Sequence, residues 1–511
     1  MNFNSILFEK VVEAAQRETE EMPAFFTDLN LDQAVDKITA YKHEYNLKPF
    51  FYTPLKEPGD IAYRQEIMRE LENKNLSGSI GEFARKMREM RECLAGMEKL
   101  FYKYQKESRF LDAVEIYGDA VTGLAEDLGP MPLQSSGFLA FRDYLSGYAA
   151  SNGFLGLLGG AKRCKADLAS VKYVLVIKGN AIKVCKYGGE ADYSAAVEET
   201  FAKFKQGAAK DYKIKFTDSP DMNHVEAWIL DAVARLYPDI FSSLDRYCAQ
   251  NGDFAEEALR TFDREIQFYM ACLEYFSSFA QAGLPFCYPA VDRSSKEVYA
   301  YEAYDPALAC KLVSEKEKVV CNDFYLKGAE RIFVVTGPNQ GGKTTFARMF
   351  GQLHYLACVG CPVPGREARL FLCDRIFTHF EREEDWKNLR GKLQDDLVRI
   401  CDILKQATPD SIVILNEIFT STALRDAVFL GERILEKIIG LDLLCVCVTF
   451  LDELASLGKK TVSVASTVVP GDPSRRTYKV VRKPADGLSY AVTVAEKHRL
   501  TGEWIRKRIK L

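Results

Sequence analysis

The residues from Gly337 to Thr344, Gly-Pro-Asn-Gln-Gly-Gly-Lys-Thr, follow the spacing G-x-x-x-x-G-K-[ST]. That spacing suits the cradling of nucleotide phosphates. Gly337, Gly341 and Gly342 let main-chain N–H groups close on phosphate oxygens, and Pro338, Asn339 and Gln340 form the arch between them. A helix starting just behind the loop, with Thr345 in its first turn, adds positive partial charge at its N-terminus. Lys343 brings a point charge to the β and γ phosphates, and Thr344 offers a hydroxyl to Mg²⁺. ATP and Mg²⁺ are therefore the expected ligands.

Further along, Ser411-Ile-Val-Ile-Leu-Asn416-Glu417 is an apolar run that ends in a polar pair. In phosphoryl-transfer sites the tip of such a strand carries an acid that holds Mg²⁺ through water, beside a second acid that orients the attacking water. Here Asn416 occupies the metal position and Glu417 is the candidate general base. Glu417 and Lys343 are the expected catalytic pair, and Thr344 with Asn416 the expected metal side.

These groups need a scaffold that brings strand ends together. The loop lies between a short apolar strand, Arg331–Thr336, and a predicted helix. From about residue 291 onward, runs such as RIFVVT, SIVILN, LLCVCVT and TVSVAST alternate with helical stretches. That order implies a mostly parallel sheet flanked by helices. Upstream, residues 60–150 and 222–282 have helical patterns. Phe262, Ile266, Tyr269, Leu273, Phe276 and Ala280 recur at spacings of four and three, one stripe of a long helix destined for a core or a helix seam. Pro285 and Pro289 end that block.

Between the helical blocks, KYVLVIKGNAIKVCKY reads as two strands around Gly179-Asn180, a hairpin signal. From Ala161 to Phe216 there are 12 Lys or Arg against 6 Asp or Glu, a net of +6, which leaves −10 on the rest of a chain whose formal charge is −4. A basic hairpin between long helices is a candidate phosphate-contacting tip, with Lys172, Lys178, Lys183 and Lys186 as its candidate DNA contacts. A solvated sheet face is the competing reading.

The N-terminus lacks a basic, apolar leader, and no run of apolar residues is long enough to span a bilayer. The sequence is expected to be soluble and cytoplasmic, with no membrane partner. The 14 cysteines are scattered and mostly in apolar surroundings, as expected of reduced, buried thiols. Cys358 and Cys361 form a CxxC without a matching second pair in sequence, and are read as structural.

At this point the residues resemble one family. TGPNQGGKTT is similar to the T-G-P-N-x-G-G-K-[ST]-T of the MutS DNA mismatch repair family. NEIFTSTALRDA resembles its D-E-I-G-x-G-T-[ST]-x-x-D-G stretch, with Glu417, Thr422 and Asp426 matching. VTFLDEL falls where the family has T-H-[YF]-x-E-L, and KPADGLSYAVTVAEKHRL resembles its C-terminal element. Upstream, DIAYRQEIMREL looks like the start of the family's helical core. EALRTFDREIQFYMACLEYFSSFAQAGLPFCYPAV looks like its closing lever helices. The resemblance implies a multidomain α plus α/β protein: a long-helix core and lever with a small basic β insertion as a clamp, then an ABC-type P-loop ATPase domain. The implied boundaries are an N-terminal segment 1–60, helical core 61–160, clamp-like insertion 161–216, lever helices 217–290 and ATPase domain 291–511.

The departures from the family are specific. The mismatch-wedging G-x-F-Y-E element is absent, and the chain is too short for the mismatch-binding and connector domains. Asn416 replaces the usual Asp, and Phe450 stands where the family has His. The signature loop S-G-x-S-T-F-x-x-E falls near Asn388–Asp396, which reads NLRGKLQDD without its serine. The resemblance thus implies a divergent ATPase, slow and DNA-dependent, acting as a homodimeric clamp on double-stranded DNA that is branched or otherwise non-standard. The alternative is a slow or inactive nucleotide switch that recruits a protein partner without gripping DNA.

Overall fold

The computed structural model describes residues 3–10, 18–179, 181–190, 200, 222–381, 391–470, 472–484 and 500–508. Two compact units emerge: one from residues 1–3, 74–133 and 139–263, the other from residues 4–73, 134–138 and 264–511.

In the first unit, the helices Lys74–Glu98 and Lys103–Leu128 lie antiparallel; Lys86 Nζ reaches Asp119 O at 3.3 Å and Cys93 Sγ reaches Arg109 O at 3.4 Å. Phe110, Leu111, Val114, Tyr117, Val121 and Leu124 of the second of these helices are buried, a stripe at helical spacing. Phe262 stacks on Phe141 with ring centroids 3.5 Å apart. The helix Asn152–Ser170 continues well into the stretch expected to be β-containing. Only then do strands β1 (Tyr173–Lys178) and β2 (Ala181–Lys186) form an antiparallel hairpin. Lys178 pairs with Ala181, so the connection has two residues, and Gly179 takes the left-handed conformation such turns require (φ 61°). Asn180 and most of the remaining insertion, 191–199 and 201–221, lie outside the described residues.

The second unit holds twelve described strands. Short β3 (Phe286–Cys287) precedes β4 (Ala290–Asp292), β5 (Val298–Ala303), β6 (Asn322–Leu326) and β7 (Ile332–Thr336). There follow β8 (Val363–Pro364), β9 (Glu367–Phe371), β10 (Ile376–His379), β11 (Ile412–Asn416), β12 (Leu444–Val448), β13 (Thr461–Val469) and β14 (Asp472–Arg482). The main sheet has the order β10-β11-β12-β7-β13-β14; its first five strands are parallel and β14 is antiparallel to β13. Every residue of β7, β11 and β12 is buried. Helices cover both faces of a central parallel strand, which is why these segments read as continuous apolar runs rather than alternating ones. Four further strands form a sheet in the order β4-β9-β5-β6. Among the described residues no helix is long and apolar enough to cross a membrane.

The helix Lys343–Cys358, behind the glycine-rich loop, is buried from Phe346 to its end except for Arg348. One side packs on the sheet: a Cβ on Gly351 would meet Ile414 Cδ1 at 2.6 Å. Another is wrapped by the N-terminal residues. Gln352 donates to Leu29 O at 2.7 Å, Arg348 to Asp28 O at 2.9 Å and Tyr355 to Phe51 O at 2.8 Å. Phe25 and Phe26 set their rings edge-on against Tyr355, each 5.1 Å away. Residues 4–60 are thus part of the same compact unit as the sheet, which no periodicity in their own sequence signals. Arg64, fully buried, ties the same region: it donates to Leu7 O at 3.1 Å and Val359 O at 2.8 Å while its guanidinium lies over the Phe8 and Phe268 rings.

His354 sits inside this helix, fully buried, with Nδ1 2.7 Å from Phe350 O. Burial disfavours the imidazolium and pushes its pKa down to about 4. Between that value and an unfolded-state pKa of about 6.5, the unfolded chain binds one more proton. Stability therefore rises with pH across this window and falls on acidification, by up to about 1.4 kcal/mol per pH unit. Denaturant unfolding from pH 7 to 4 should show this slope in the parent and a shallower one in His354→Gln.

Candidate functional site

The loop follows β7 directly, and its shape is set by close contacts with β13. A Cβ on Gly337 would fall 2.6 Å from Ser466 Oγ and 2.8 Å from Ser466 O; one on Gly341 would fall 2.5 Å from the same Oγ. Gly337 also has φ 113° and Gly342, which caps the helix, φ 93°. Both lie in the region that favours glycine. Gln340, at φ 58°, accepts the left-handed conformation without being glycine. Sequence spacing identifies the glycines; the reason two of them cannot carry a side chain is a serine more than a hundred residues away.

Lys343 is almost fully buried. Its Nζ donates to Gly337 O at 2.9 Å, Pro338 O at 3.4 Å and Asn339 Oδ1 at 3.3 Å. The Phe450 ring lies over the ammonium, 4.1 Å from Nζ to the ring centroid. Burial lowers the lysine's pKa; Glu417 acts against that and Arg476 adds to it. Phe450 itself is half exposed. Phe450 thus supplies a π face to the lysine and no hydrogen bond to a ligand.

Thr344 donates to Asn416 Oδ1 at 2.9 Å, joining the loop to the end of β11. The next residue, Glu417, takes a left-handed turn (φ 55°), and its N–H donates to Val448 O at 2.9 Å at the end of β12. Non-glycine residues rarely adopt this conformation; here it turns the carboxylate out of the strand direction into a cleft of about 240 Å³ that it lines with Asn339, Lys343, Thr344 and Thr345. The structure therefore brings Gly337–Thr345, Asn416 and Glu417 together at the carboxyl ends of neighbouring parallel strands, where open α/β sheets bind ligands. A hydroxyl, an amide oxygen and a carboxylate are the hard oxygen donors that Mg²⁺ takes. Thr344 and Asn416 fit the metal side and Glu417 the water side.

Residues that sequence spacing missed also line this cleft. Leu308 and Tyr478 do so, and both extend into an adjoining cleft of about 280 Å³ with Leu312, Val319, Val320 and Asn322. Tyr478 lies in β14 with φ 59°. Asn322 accepts from Val480 N at 2.8 Å and donates to Tyr478 O at 3.2 Å, so its side chain stands in for strand partners at the bend. No local motif announces such a bulge.

Of the predicted signature loop, 388–390 lie outside the described residues; Gly391 precedes the helix Lys392–Gln406, in which Asp396 meets His379 Nε2 at 3.2 Å. The C-terminal element falls largely outside as well (485–499). The CxxC cysteines are free: Cys358 lies 3.9 Å from Cys373 and Cys361 3.5 Å from Cys272.

In the other unit, Lys172, Lys178, Lys183 and Lys186 are all exposed but do not share one face. The register puts Lys178 and Lys183 on one side of the hairpin and Lys186 on the other. On that second side Val184 packs with Val233 and Phe241, and Lys186 Nζ lies 5.0 Å from the Tyr237 ring centroid.

Residues 333–508 match the family model described as MutS domain V. Over 192 residues the chain is 32% identical to the DNA mismatch repair protein MutS of Orientia tsutsugamushi (strain Boryong), covering 36% of this chain and 22% of the relative. Over 184 residues it is 32% identical to that of Thermotoga sp. (strain RQ2), covering 35% and 23%. Over 194 residues it is 30% identical to that of Zymomonas mobilis, covering 37% and 22%. The chain thus spans less than a quarter of the length of these curated relatives.

Gly337→Ala should lower unfolding stability by roughly 1–3 kcal/mol, because both its φ and its contact with a main-chain oxygen resist a side chain. Gly440→Ala, inside a helix with nothing within 4 Å of the added carbon, should instead stabilise by about 0.5 kcal/mol. Chemical denaturation of the two variants checks both signs.

Proposed function

We propose that this chain, a MutS-related protein, binds and hydrolyses ATP with Mg²⁺ at the Gly337–Thr345 loop and couples it to gripping double-stranded DNA as a homodimeric clamp. The function is of the DNA mismatch repair type, as the names of its relatives suggest, with branched or otherwise non-standard DNA as the favoured substrate. The observation that carries the reading is the convergence of Lys343, Thr344 and Glu417 on one cleft, with Asn416 bonded to Thr344 behind it.

The chemistry follows from those side chains. Lys343 holds three loop oxygens; on ATP binding it exchanges these for β- and γ-phosphate oxygens, and the glycine-rich main chain rings the phosphates. The cleft beside Leu308 and Tyr478 accepts the apolar face of the base. Thr344 and Asn416 would hold Mg²⁺, which when bound neutralises phosphate charge. Glu417 takes a proton from water as the water oxygen bonds to the γ phosphorus and the bond to the β–γ bridging oxygen breaks, releasing ADP. Asn416 gives the metal no charge, and Phe450 gives the γ-phosphate no hydrogen bond, so turnover is slow. The same two residues favour the second reading, a nucleotide switch that recruits a protein partner.

The test of the site is ATP binding and turnover in the full chain. Lys343→Ala should abolish tight ATP binding; Glu417→Gln should keep binding and lose at least about 100-fold in turnover, the scale of a general base. Unchanged binding in the lysine variant, or unchanged turnover in the glutamine variant, would refute the assignment.

The hairpin geometry sharpens the DNA reading. Lys178 and Lys183 project from the side not packed on helices, so reversing both to Glu should weaken duplex binding and flatten its salt dependence by roughly 0.9 per lost phosphate contact. Lys186→Glu should have a smaller effect. Salt titrations of duplex and junction DNA binding decide this, and an unaltered slope for the Lys178/Lys183 pair favours the switch reading.

A further inference from the structure

The second compact unit holds a cavity apart from the glycine-rich loop. Its volume is about 460 Å³, within the range of small-molecule sites, and it shares no lining residue with the cleft at the loop. Its walls come from the N-terminal segment, the end of the helix Lys343–Cys358, strand β10 with the residues before it, and the end of the helix Lys392–Gln406.

The lining is mostly apolar, with Pro23, Phe25, Pro54, Tyr355, Phe377 and Ile403 as its larger surfaces. Contacts outside the cavity hold these walls in place. The Phe25 ring stands edge-on to Tyr355 at 5.1 Å, and Thr19 N donates to Thr53 Oγ1 at 3.1 Å, next to Pro54. Cys358 and Cys373, with sulfurs 3.9 Å apart, add polarizable surface.

Most polar groups of the lining are already engaged. Tyr355 Oη donates to Phe51 O at 2.8 Å, and Thr378 Oγ1 to Asp28 Oδ2 at 2.6 Å. Asp374 accepts from Thr408 Oγ1 at 2.6 Å and from Ser411 Oγ at 2.8 Å, one bond on each carboxylate oxygen. Gln406 Nε2 donates to Asp402 O at 3.3 Å. Arg375 differs: it is exposed, and its guanidinium has no hydrogen bond, ion pair or ring contact among the described residues. The charged lining residue left without a partner is therefore a cation. An apolar body would take the walls out of water, and an anionic head would meet a planar fork that matches a carboxylate. A cationic head would find only a carboxylate that two hydroxyls already serve.

We propose that this cavity binds a small amphipathic carboxylate, an aliphatic or aromatic acid of about ten carbons, as suits a site of this volume. Its apolar body lies among Phe25, Tyr355, Phe377 and Ile403, and its carboxylate pairs with Arg375. The assignment does not depend on what the loop binds.

The experiment is calorimetric titration of the full chain with decanoate and with decanol, for the parent, Arg375→Gln, Arg375→Lys and Ala24→Trp. The parent should bind one decanoate per chain with a Kd below about 1 mM, and decanol more weakly. Arg375→Gln should weaken decanoate by about three- to fivefold, the scale of an ion pair at an exposed rim, and leave decanol unchanged. Arg375→Lys should keep most of the decanoate affinity. Ala24 lines the cavity and is exposed, so a tryptophan there should fill the space and remove binding of both compounds. Absence of saturable decanoate binding overturns the inference. So does equal binding of acid and alcohol with no effect of Arg375→Gln, which would mean that any apolar occupant suffices. Binding that survives Ala24→Trp overturns it as well, since the ligand then sits elsewhere. Thermal unfolding checks that each variant folds; if Ala24→Trp does not, the contrast between Arg375→Gln and Arg375→Lys decides.

Discussion

Burial of the helix Lys343–Cys358 is the constraint on which the site depends. Its first residue is Lys343 at the end of the glycine-rich loop and its last contacts the N-terminal segment, with Leu55 N donating to Cys358 O at 2.8 Å. The sheet supports one side through Ile414, and Phe25, Phe26 and Leu29 cover another. Such a helix cannot rotate or slide without breaking interior contacts, since packed interiors resist small volume changes. Its polar residues are therefore placed to satisfy specific carbonyls. Gln352 bridges Leu29 O and Asp305 Oδ1, and Asp305 in turn caps the helix Pro306–Ser314, whose Leu308 lines the cleft. A single chain of hydrogen bonds thus runs from the N-terminal segment through the loop helix to the wall of the site.

Much of this arrangement was legible in the sequence because it is local or periodic. The loop, the strand before it and the helix after it follow from spacing and from short apolar runs, and the mostly parallel character of the sheet needed only the alternation of helices and strands, although its strand order did not follow from them. The long stripe was legible too: Phe262, Ile266, Tyr269 and Phe276 are buried, whereas Ala280, at its end, is exposed. What escaped was non-local. Residues 25–55 carry no signal that they cover a helix some three hundred positions away, because their apolar residues would serve any core equally well. Ser466 beneath the glycines and Asn322 beneath the β14 bend are ordinary polar residues until the fold brings them to a loop with no room for a side chain or a strand missing a partner. The left-handed conformations of Glu417 and Tyr478 were likewise invisible, since neither is glycine or asparagine.

The hairpin shows a different limit. Net charge located a basic segment, and Gly179 located the turn, but lysine count could not separate the two faces. That separation comes from register, which alternates side chains strictly. Lys186 lies against the Tyr237 ring and belongs partly to the packing of the hairpin on its helices, while Lys178 and Lys183 do not. A basic patch in sequence is therefore an upper bound on the charges that one surface can present.

The charge balance of the cleft draws the departures together. An acid at the end of β11 would offset the cations across the loop and would repel phosphate where no metal intervenes; Asn416 does neither. Arg476 and Glu417 act on Lys343 in opposite senses, the guanidinium lowering its affinity for a proton and the carboxylate raising it. The neutral Asn416 moves the potential toward attraction of a polyanion. It does not help a metal-assisted bond cleavage in the same measure, because a neutral amide stabilises a bound cation less than a carboxylate does in a partly dry site. Under the proposed reading, such a cleft favours holding a triphosphate over turning it over, and the departures that count against catalysis count in favour of binding.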